Sequence, residues 1–350
     1  MSEETPEPSQ PQPVDESAQK KKRTKKIVML FVKLAILLVV LWCIRSTVVD
    51  AYNYLTEPGR ASLFENFQWQ WIAASGAFYL VGLAQAGLFW RFVLLQMGQP
   101  VGWVETFRAY FIGHLGKYVP GKAMVLVLRA GLLRGGKKHV GLIAAAVFFE
   151  TLTMMAVGAF LASFVIALVL ISGSVKLHNT NETFFILMAV GLTVASGLPT
   201  IPAFFKFAAR KAGIGKRDPE AREKLDAVSA GTLLIGWGAM FVCWIFLALS
   251  LWAVFQSLGI PCPLEQGFHL LLAAVALAMV AGFLSLIPGG LFVREAVLLA
   301  LLVPYLSNIY PDKTEAASVA LVAAVLLRLV WLGAELLVSA VLAPIRRRAE

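Results

Sequence analysis

Residues 104–138 read VETFRAYFIGHLGKYVPGKAMVLVLRAGLLRGGKK: apolar in pieces, broken in the middle at Pro120-Gly121, and carrying Arg108, Lys117, Lys122, Arg129, Arg134, Lys137 and Lys138. Each arm has about 14 residues, which at about 1.5 Å per residue reaches roughly 20 Å, short of a hydrocarbon core about 30 Å thick. The stretch therefore reads as a re-entrant hairpin rather than a crossing. A second stretch, 267–305, is interrupted in the same way at Pro288-Gly289-Gly290. In hydrocarbon every backbone N–H and C=O must find a partner, so broken helices persist only where protein or a wet cavity surrounds them.

Outward from these breaks the chain is apolar almost from end to end. Hydrophobic residues make up 59% of it and charged residues 15%, which excludes an ordinary soluble domain of this length. Full crossings are expected at 27–47, 70–92, 140–172, 184–207, 229–257 and 315–342. Lys20, Lys21, Lys22, Arg23, Lys25 and Lys26 abut the first run, and no small-residue cleavage site follows it, so it reads as an uncleaved anchor with a cytoplasmic amino end. The basic loop 206–227 is expected on the cytoplasmic side too, as are Arg346, Arg347 and Arg348 after the last run.

That orientation places the first hairpin on the inner face and the second on the outer one. The expected fold is all-α: a polytopic transmembrane helix bundle of about six full spans plus two Pro-Gly re-entrant hairpins arranged as an inverted repeat. The halves are 27–172 and 184–342, within a transmembrane domain at 27–345. A disordered polar and polybasic tail (1–26) precedes it and a short basic end (346–350) follows. The expected location is the inner (cytoplasmic) membrane, with both termini cytoplasmic.

The net charge of +10 does not point to nucleic acid, because the basic residues sit at the ends of apolar runs and no helix-turn-helix, basic zipper or zinc finger is present. Cys43, Cys243 and Cys262 are widely spaced, and four scattered histidines form no ligand cluster. Neither a disulfide framework, a metal nor a cofactor is expected.

Candidate binding residues follow from the breaks. A helix interrupted at the midplane presents free N–H groups and the positive end of a dipole, which suits a phosphate or carboxylate. Lys117 and Lys122 flank Pro120-Gly121, with Arg129 two turns on; Arg294 and Glu295 follow Pro288-Gly289-Gly290. Glu150 and Arg328 fall inside apolar runs, and Glu335 shares a helical face with Arg328. Charges so placed should face the bundle interior and be paired. Structural pairing is open for several of them: Arg294 and Glu295 are candidates to neutralise each other, while Arg134, Lys137 and Lys138 read as snorkelling side chains.

At these residues the chain resembles the transmembrane region of lysylphosphatidylglycerol synthases, the flippase-like integral membrane family. The resemblance is carried by Gly113-His114-Leu115-Gly116-Lys117-Tyr118-Val119-Pro120-Gly121-Lys122 with Arg129, by Glu150, and by Ile287-Pro288-Gly289-Gly290-Leu291-Phe292-Val293-Arg294-Glu295-Ala296. It spans roughly 27–345. The chain departs from the family where small residues, often Gly, follow each Pro-Gly: here Ala123-Met124 and Phe292 stand there. The soluble aminoacyl-transferase domain of the two-part synthases is absent, so aminoacylation is not expected. The resemblance implies binding or translocation of a polar lipid made by another enzyme.

The resulting expectation is a membrane protein that binds and translocates a polar phospho- or glycolipid between leaflets. Its expected partners are membrane lipids with anionic headgroups and, in addition, a biosynthetic enzyme. The alternatives are an intramembrane lipid-phosphate enzyme and a non-transporting partner of an envelope enzyme. Against the enzyme stands the lack of an H-E-x-x-H site, a G-x-S-G serine with a partner histidine, a G-x-G-D aspartate or a placed carboxylate pair; against ATP-driven transport, the lack of a P-loop.

Overall fold

The computed structural model describes residues 67–118, 123–133, 139–171, 197–214, 218–285 and 292–345, with 187, 190, 191, 193–195, 287 and 290 besides. The described residues form helices and connections with no strand among them. The expected first span, 27–47, and the proline-glycine pairs Pro120-Gly121 and Pro288-Gly289 lie outside the described residues.

The first long helix, α1 (Trp69–Gln96), is followed by α2 (Trp103–His114), which tightens into a 3₁₀ turn (Leu115–Tyr118), and by α3 (Ala123–Leu132). Then comes α4 (Val140–Ile171). The second half repeats this order: α7 (Ala230–Ser257), the interrupted pair α8 (Leu264–Leu284) and α9 (Val293–Leu306), then α10 (Lys313–Leu342). Helices α1 and α7 both have 28 residues, and connections of equal length, 97–102 and 258–263, lead from them into the interrupted segments.

Helices α1 and α7, which correspond in the two halves, run antiparallel. The Gln68 amide donates to the Ser257 carbonyl at 3.1 Å, and the Ser75 hydroxyl donates to the Ser250 carbonyl at 2.8 Å. Further along, a Cβ added at Gly82 would sit 3.1 Å from the Cys243 carbonyl oxygen, and Gly236 packs under the Phe89 ring. The contacts advance by seven in α1 as they retreat by seven in α7. Small residues at the seam let the two backbones approach, as helix packing within lipid requires. Trp331 of α10 joins the seam through its indole N–H, 2.9 Å from the Ser250 hydroxyl.

Five described helices are long and apolar enough to cross a membrane: α1, α4 (over 140–168), α7, α8 and α10. Four of them match expected spans. The fifth, α8, was expected as one arm of the second hairpin, yet its 21 residues reach about 31 Å. The second interrupted segment is therefore asymmetric, one arm of spanning length and one (α9) of 14 residues, about 21 Å. The first has two short arms, α2 with 12 residues and α3 with 10.

The basic stretch expected as a loop at 206–227 contains two short helices, α5 (Pro202–Lys211) and α6 (Pro219–Asp226). Both begin with proline at the first helical position, where its missing N–H costs nothing. Asp218 caps α6 by accepting from the Ala221 amide at 3.1 Å. Phe205, Ala209, Ala221 and Leu225 turn inward and the charges outward, which is why propensity for a loop loses to an amphipathic pattern.

Candidate functional site

The first interrupted segment folds tightly on itself because of its glycines. A Cβ at Gly116 would lie 2.6 Å from the Val125 nitrogen and 2.8 Å from the Met124 carbonyl carbon, so only glycine lets the 3₁₀ turn meet α3 backbone to backbone. Gly113, three residues earlier, rests against the stem of Arg129 in the same crossing. This close approach fixes where Lys117 and Arg129 emerge.

Arg129 and Glu150 are both 2% exposed and form an ion pair, Nη1 to Oε2, at 2.8 Å. The other carboxylate oxygen accepts from the Tyr110 hydroxyl at 2.9 Å, and Thr151 donates to Oε2 at 3.2 Å. The guanidinium lies 3.9 Å from the Tyr110 ring centroid and 5.2 Å from that of Trp90. A buried charge pair is tolerable only when its remaining hydrogen-bonding capacity is met, and this one is largely enclosed by such partners.

Lys117 pairs with Glu335 of α10, which is 1% exposed. The same carboxylate oxygen accepts from the Tyr79 hydroxyl, and the Lys117 ammonium lies 3.2 Å from that hydroxyl. Tyr79 is stacked on Trp331, ring centroids 4.5 Å apart. The His114 imidazole stands 3.7 Å from Glu335. Arg328 pairs with Glu295 across α10 and α9.

This pairing bears on two points that the sequence left open. Arg328 and Glu335 share a helical face, but a seven-residue separation leaves them two turns apart, and each finds a partner on another element instead. Arg294 and Glu295 do not neutralise each other: neighbours on a helix point about 100° apart, and Glu295 turns to Arg328. Arg294 makes no ion pair and no hydrogen bond among the described residues, and its Nε is shielded without a partner. Its stem lies in a slot made by two glycines. A Cβ at Gly282 would be 2.8 Å, and one at Gly290 2.7 Å, from that Nε. Gly290 adopts φ +65°, which favours glycine, whereas Phe292 at φ +64° occupies the same half of conformational space with a bulky side chain.

A cavity of about 310 Å3 joins these pieces. His114, Lys117 and Arg129 from the first interrupted segment line it, as do Gly290 and Arg294 from the second, with Glu150 of α4 between. Its remaining wall is apolar and includes Phe148 and Ile287, which are also exposed on the outside of the bundle, at 55% and 37%. A second void of about 30 Å3, lined by Arg294, Glu295 and Arg328, adjoins Arg294. It is large enough for a water that would serve the shielded Arg294 Nε and Glu295 Oε2.

Of the residues singled out from sequence, Lys117, Arg129, Glu150, Gly290 and Arg294 share the main cavity, while Glu295 and Arg328 stand behind Arg294 at the smaller one. Pro120, Gly121, Lys122, Pro288 and Gly289 lie outside the described residues. Sequence reasoning missed Tyr79 and Tyr110, whose hydroxyls complete the two carboxylate sites. The signal was available: a tyrosine inside a long apolar helix must find a partner for its O–H. No group of three or more potential metal ligands occurs among the described residues.

No significant match is found among curated proteins. Residues 30–339 match the family described as Lysylphosphatidylglycerol synthase TM region, covering both interrupted segments and every described long helix but the last turn of α10. With five apolar helices of spanning length and a match over most of its sequence, the chain belongs to the lysylphosphatidylglycerol synthase transmembrane-region family and is a multi-pass integral membrane protein.

Proposed function

We propose that this protein binds a polar phospho- or glycolipid in the cavity between its two interrupted segments and moves it from one leaflet to the other. The observation that carries the reading is one cavity with two kinds of wall. Lys117, Arg129 and Arg294 gather at its polar part, and an apolar wall runs out to the exposed Phe148 and Ile287. A headgroup would occupy the first while acyl chains lie along the second and remain in lipid. Membership of a lipid-linked membrane family supports the same substrate class.

The antiparallel seam of α1 and α7 supports alternating exposure, since inverted halves rock about a central site in many transporters. In this reading the protein resides in the inner membrane with both termini cytoplasmic, and the interrupted segments enter from opposite leaflets. The chemistry of the lipid is made elsewhere, by a partner enzyme, and this chain catalyses no reaction itself.

The test is reconstitution into liposomes with a panel of labelled lipids, scored for leaflet exchange. Wild-type protein should accelerate exchange of at least one polar lipid, and Lys122→Ala and Arg294→Ala should abolish the acceleration. A scaffold for a biosynthetic enzyme would instead tolerate both variants and show no exchange.

A further inference from the structure

A column of polar groups runs between α2 and α10, from the edge of the cavity at His114 towards the end of α10. Glu335, Ser339 and Ala343 follow one another at intervals of four and so share one face of α10, over about 12 Å. At the far end of that face the Arg108 guanidinium of α2 donates to the Ala343 carbonyl at 3.5 Å. At the near end the His114 imidazole of α2 stands 3.7 Å from Glu335. Four shielded polar atoms along this seam have no hydrogen-bond partner among the described residues: Arg108 Nε, His114 Nε2, Glu335 Oε2 and Ser339 Oγ. Buried polar atoms are nearly always paired, so several unpaired ones in a single seam mark a route for water and protons rather than sealed packing.

Resting on the translocation reading above, we propose that Glu335 is a proton-binding site, supplied along this seam from the Ala343 end of α10, and that its protonation frees Lys117 to engage a headgroup. The groups facing the carboxylate are Lys117 and Tyr118 from the 3₁₀ turn, Tyr79 from α1 and His114 from α2. Arg294 of α9 and Arg328 of α10 act on the same cluster from further away. One carboxylate oxygen serves Lys117 and Tyr79, while the other is shielded and able to take one more bond. A proton delivered to that second oxygen converts the carboxylate to the neutral acid. The ammonium then lacks its counter-charge, and an anionic phosphate in the cavity that Lys117 lines supplies one. Loss of the proton restores the pair and releases the headgroup.

A proton suits this place better than a metal ion. No group of three or more metal-ligating side chains occurs among the described residues, and an ammonium already sits on one of the two oxygens. A proton needs a single oxygen and no coordination shell. Ser339 is 6% exposed and Glu335 1%, so the serine stands between the carboxylate and the exposed Ala343. Its hydroxyl can donate and accept at once, and the neutral His114 ring can do the same through its two nitrogens.

Infrared difference spectroscopy of the purified protein in nanodiscs reads the carbonyl stretch of a protonated carboxylic acid directly. Wild-type protein should gain such a band on acidification. Lys117→Met should show it already at neutral pH, because the carboxylate has lost its counter-charge. The double variant Lys117→Met with Glu335→Gln, which leaves neither charge alone, should lack it. Ser339→Ala should slow the appearance of the band after a pH jump severalfold without moving its midpoint, and Ser339→Thr should restore the rate. In liposomes, wild-type lipid exchange should quicken severalfold in acid, and Glu335→Gln, which mimics the neutral acid, should exchange at the acid rate at every pH. A band that persists in the double variant, or a wild-type protein with no band, overturns the proton site and leaves the seam with structural water only. An unchanged rate in Ser339→Ala overturns the route. Lipid exchange indifferent to pH overturns the coupling and leaves translocation standing, whereas a Glu335-dependent band in a protein that exchanges no lipid overturns translocation and leaves the proton site.

Discussion

Lys117 and Glu335, 218 residues apart in sequence, form one ion pair that ties the tip of the first interrupted segment to the last long helix. The pair crosses from one half of the repeat to the other and borders the cavity through Lys117. A headgroup that competed for the ammonium would loosen this tie, so the same contact links occupancy to the packing of the two halves.

Breaking that pair from one side should cost more than removing it. Glu335→Gln or Lys117→Met alone leaves a charge in a site with little water, and about 3–5 kcal/mol of stability should be lost. The double variant should recover a large part of the loss. Chemical unfolding in detergent, analysed as a double-mutant cycle, checks this; strictly additive effects would show that the two side chains do not interact.

The Arg129–Glu150 pair also shares its carboxylate with hydroxyl donors, Tyr110 and Thr151. Tyr110→Phe removes one hydrogen bond to a charged group and should cost about 1.5–3 kcal/mol. Glu150→Gln leaves Arg129 buried without a counter-charge and should cost more, in the same unfolding assay. A smaller loss for Glu150→Gln than for Tyr110→Phe would contradict this assignment.

Two glycine-to-alanine changes should have opposite signs. Gly116→Ala drives a methyl into the backbone of α3 and should destabilise the protein by about 1–3 kcal/mol while impairing lipid exchange. Gly238→Ala, exposed on α7 with nothing within 4 Å, should stabilise it by about 0.5–1 kcal/mol. Unfolding temperatures of the two variants decide.

Gly282→Ala should displace Arg294 without removing it, since the added methyl would lie 2.6 Å from the arginine Cγ. Some stability should be lost too, because the methyl meets the stem of the side chain rather than its free end. Lipid exchange should fall nearly as far as in Arg294→Ala, which the liposome assay reads directly.

Outside the membrane, the Lys224 ammonium hydrogen-bonds Glu220 one turn away and, by that bond and its charge, holds the Glu220 carboxyl below its ordinary range. A carboxylate depressed in the folded state contributes stability above its unfolded value and loses that contribution as pH falls through the folded value. The first turn of α6 should therefore fray only in acid, below the ordinary carboxylate range. Lys224→Gln should raise the Glu220 titration midpoint, measured by carbon NMR of the labelled side chain, and added salt should have a similar effect.

Much of the architecture could be read directly from residues. The spans at α1, α4, α7 and α10 follow from runs of apolar side chains, because lipid admits only backbones that satisfy their own hydrogen bonds. The repeat follows from the two Pro-Gly interruptions. Even the seam carried a signal: Gly236, Cys243, Ser250 and Ser257 recur every seventh residue, the spacing at which small side chains line one contact face of a helix. The length of α8 was obscured because the break at Pro288 marks the whole segment as interrupted, while nothing local separates an unbroken run of spanning length from a shorter arm.

Sequence alone determined that this chain lies in a membrane, that two of its helices are interrupted, and which charges stand near the interruptions, because each of these depends on local composition and spacing. Only the tertiary structure decided which cation meets which carboxylate. Ion pairing depends on distances between elements far apart in the chain, and a difference of a few ångströms gave Glu335 to Lys117 and Glu295 to Arg328 and left Arg294 with none.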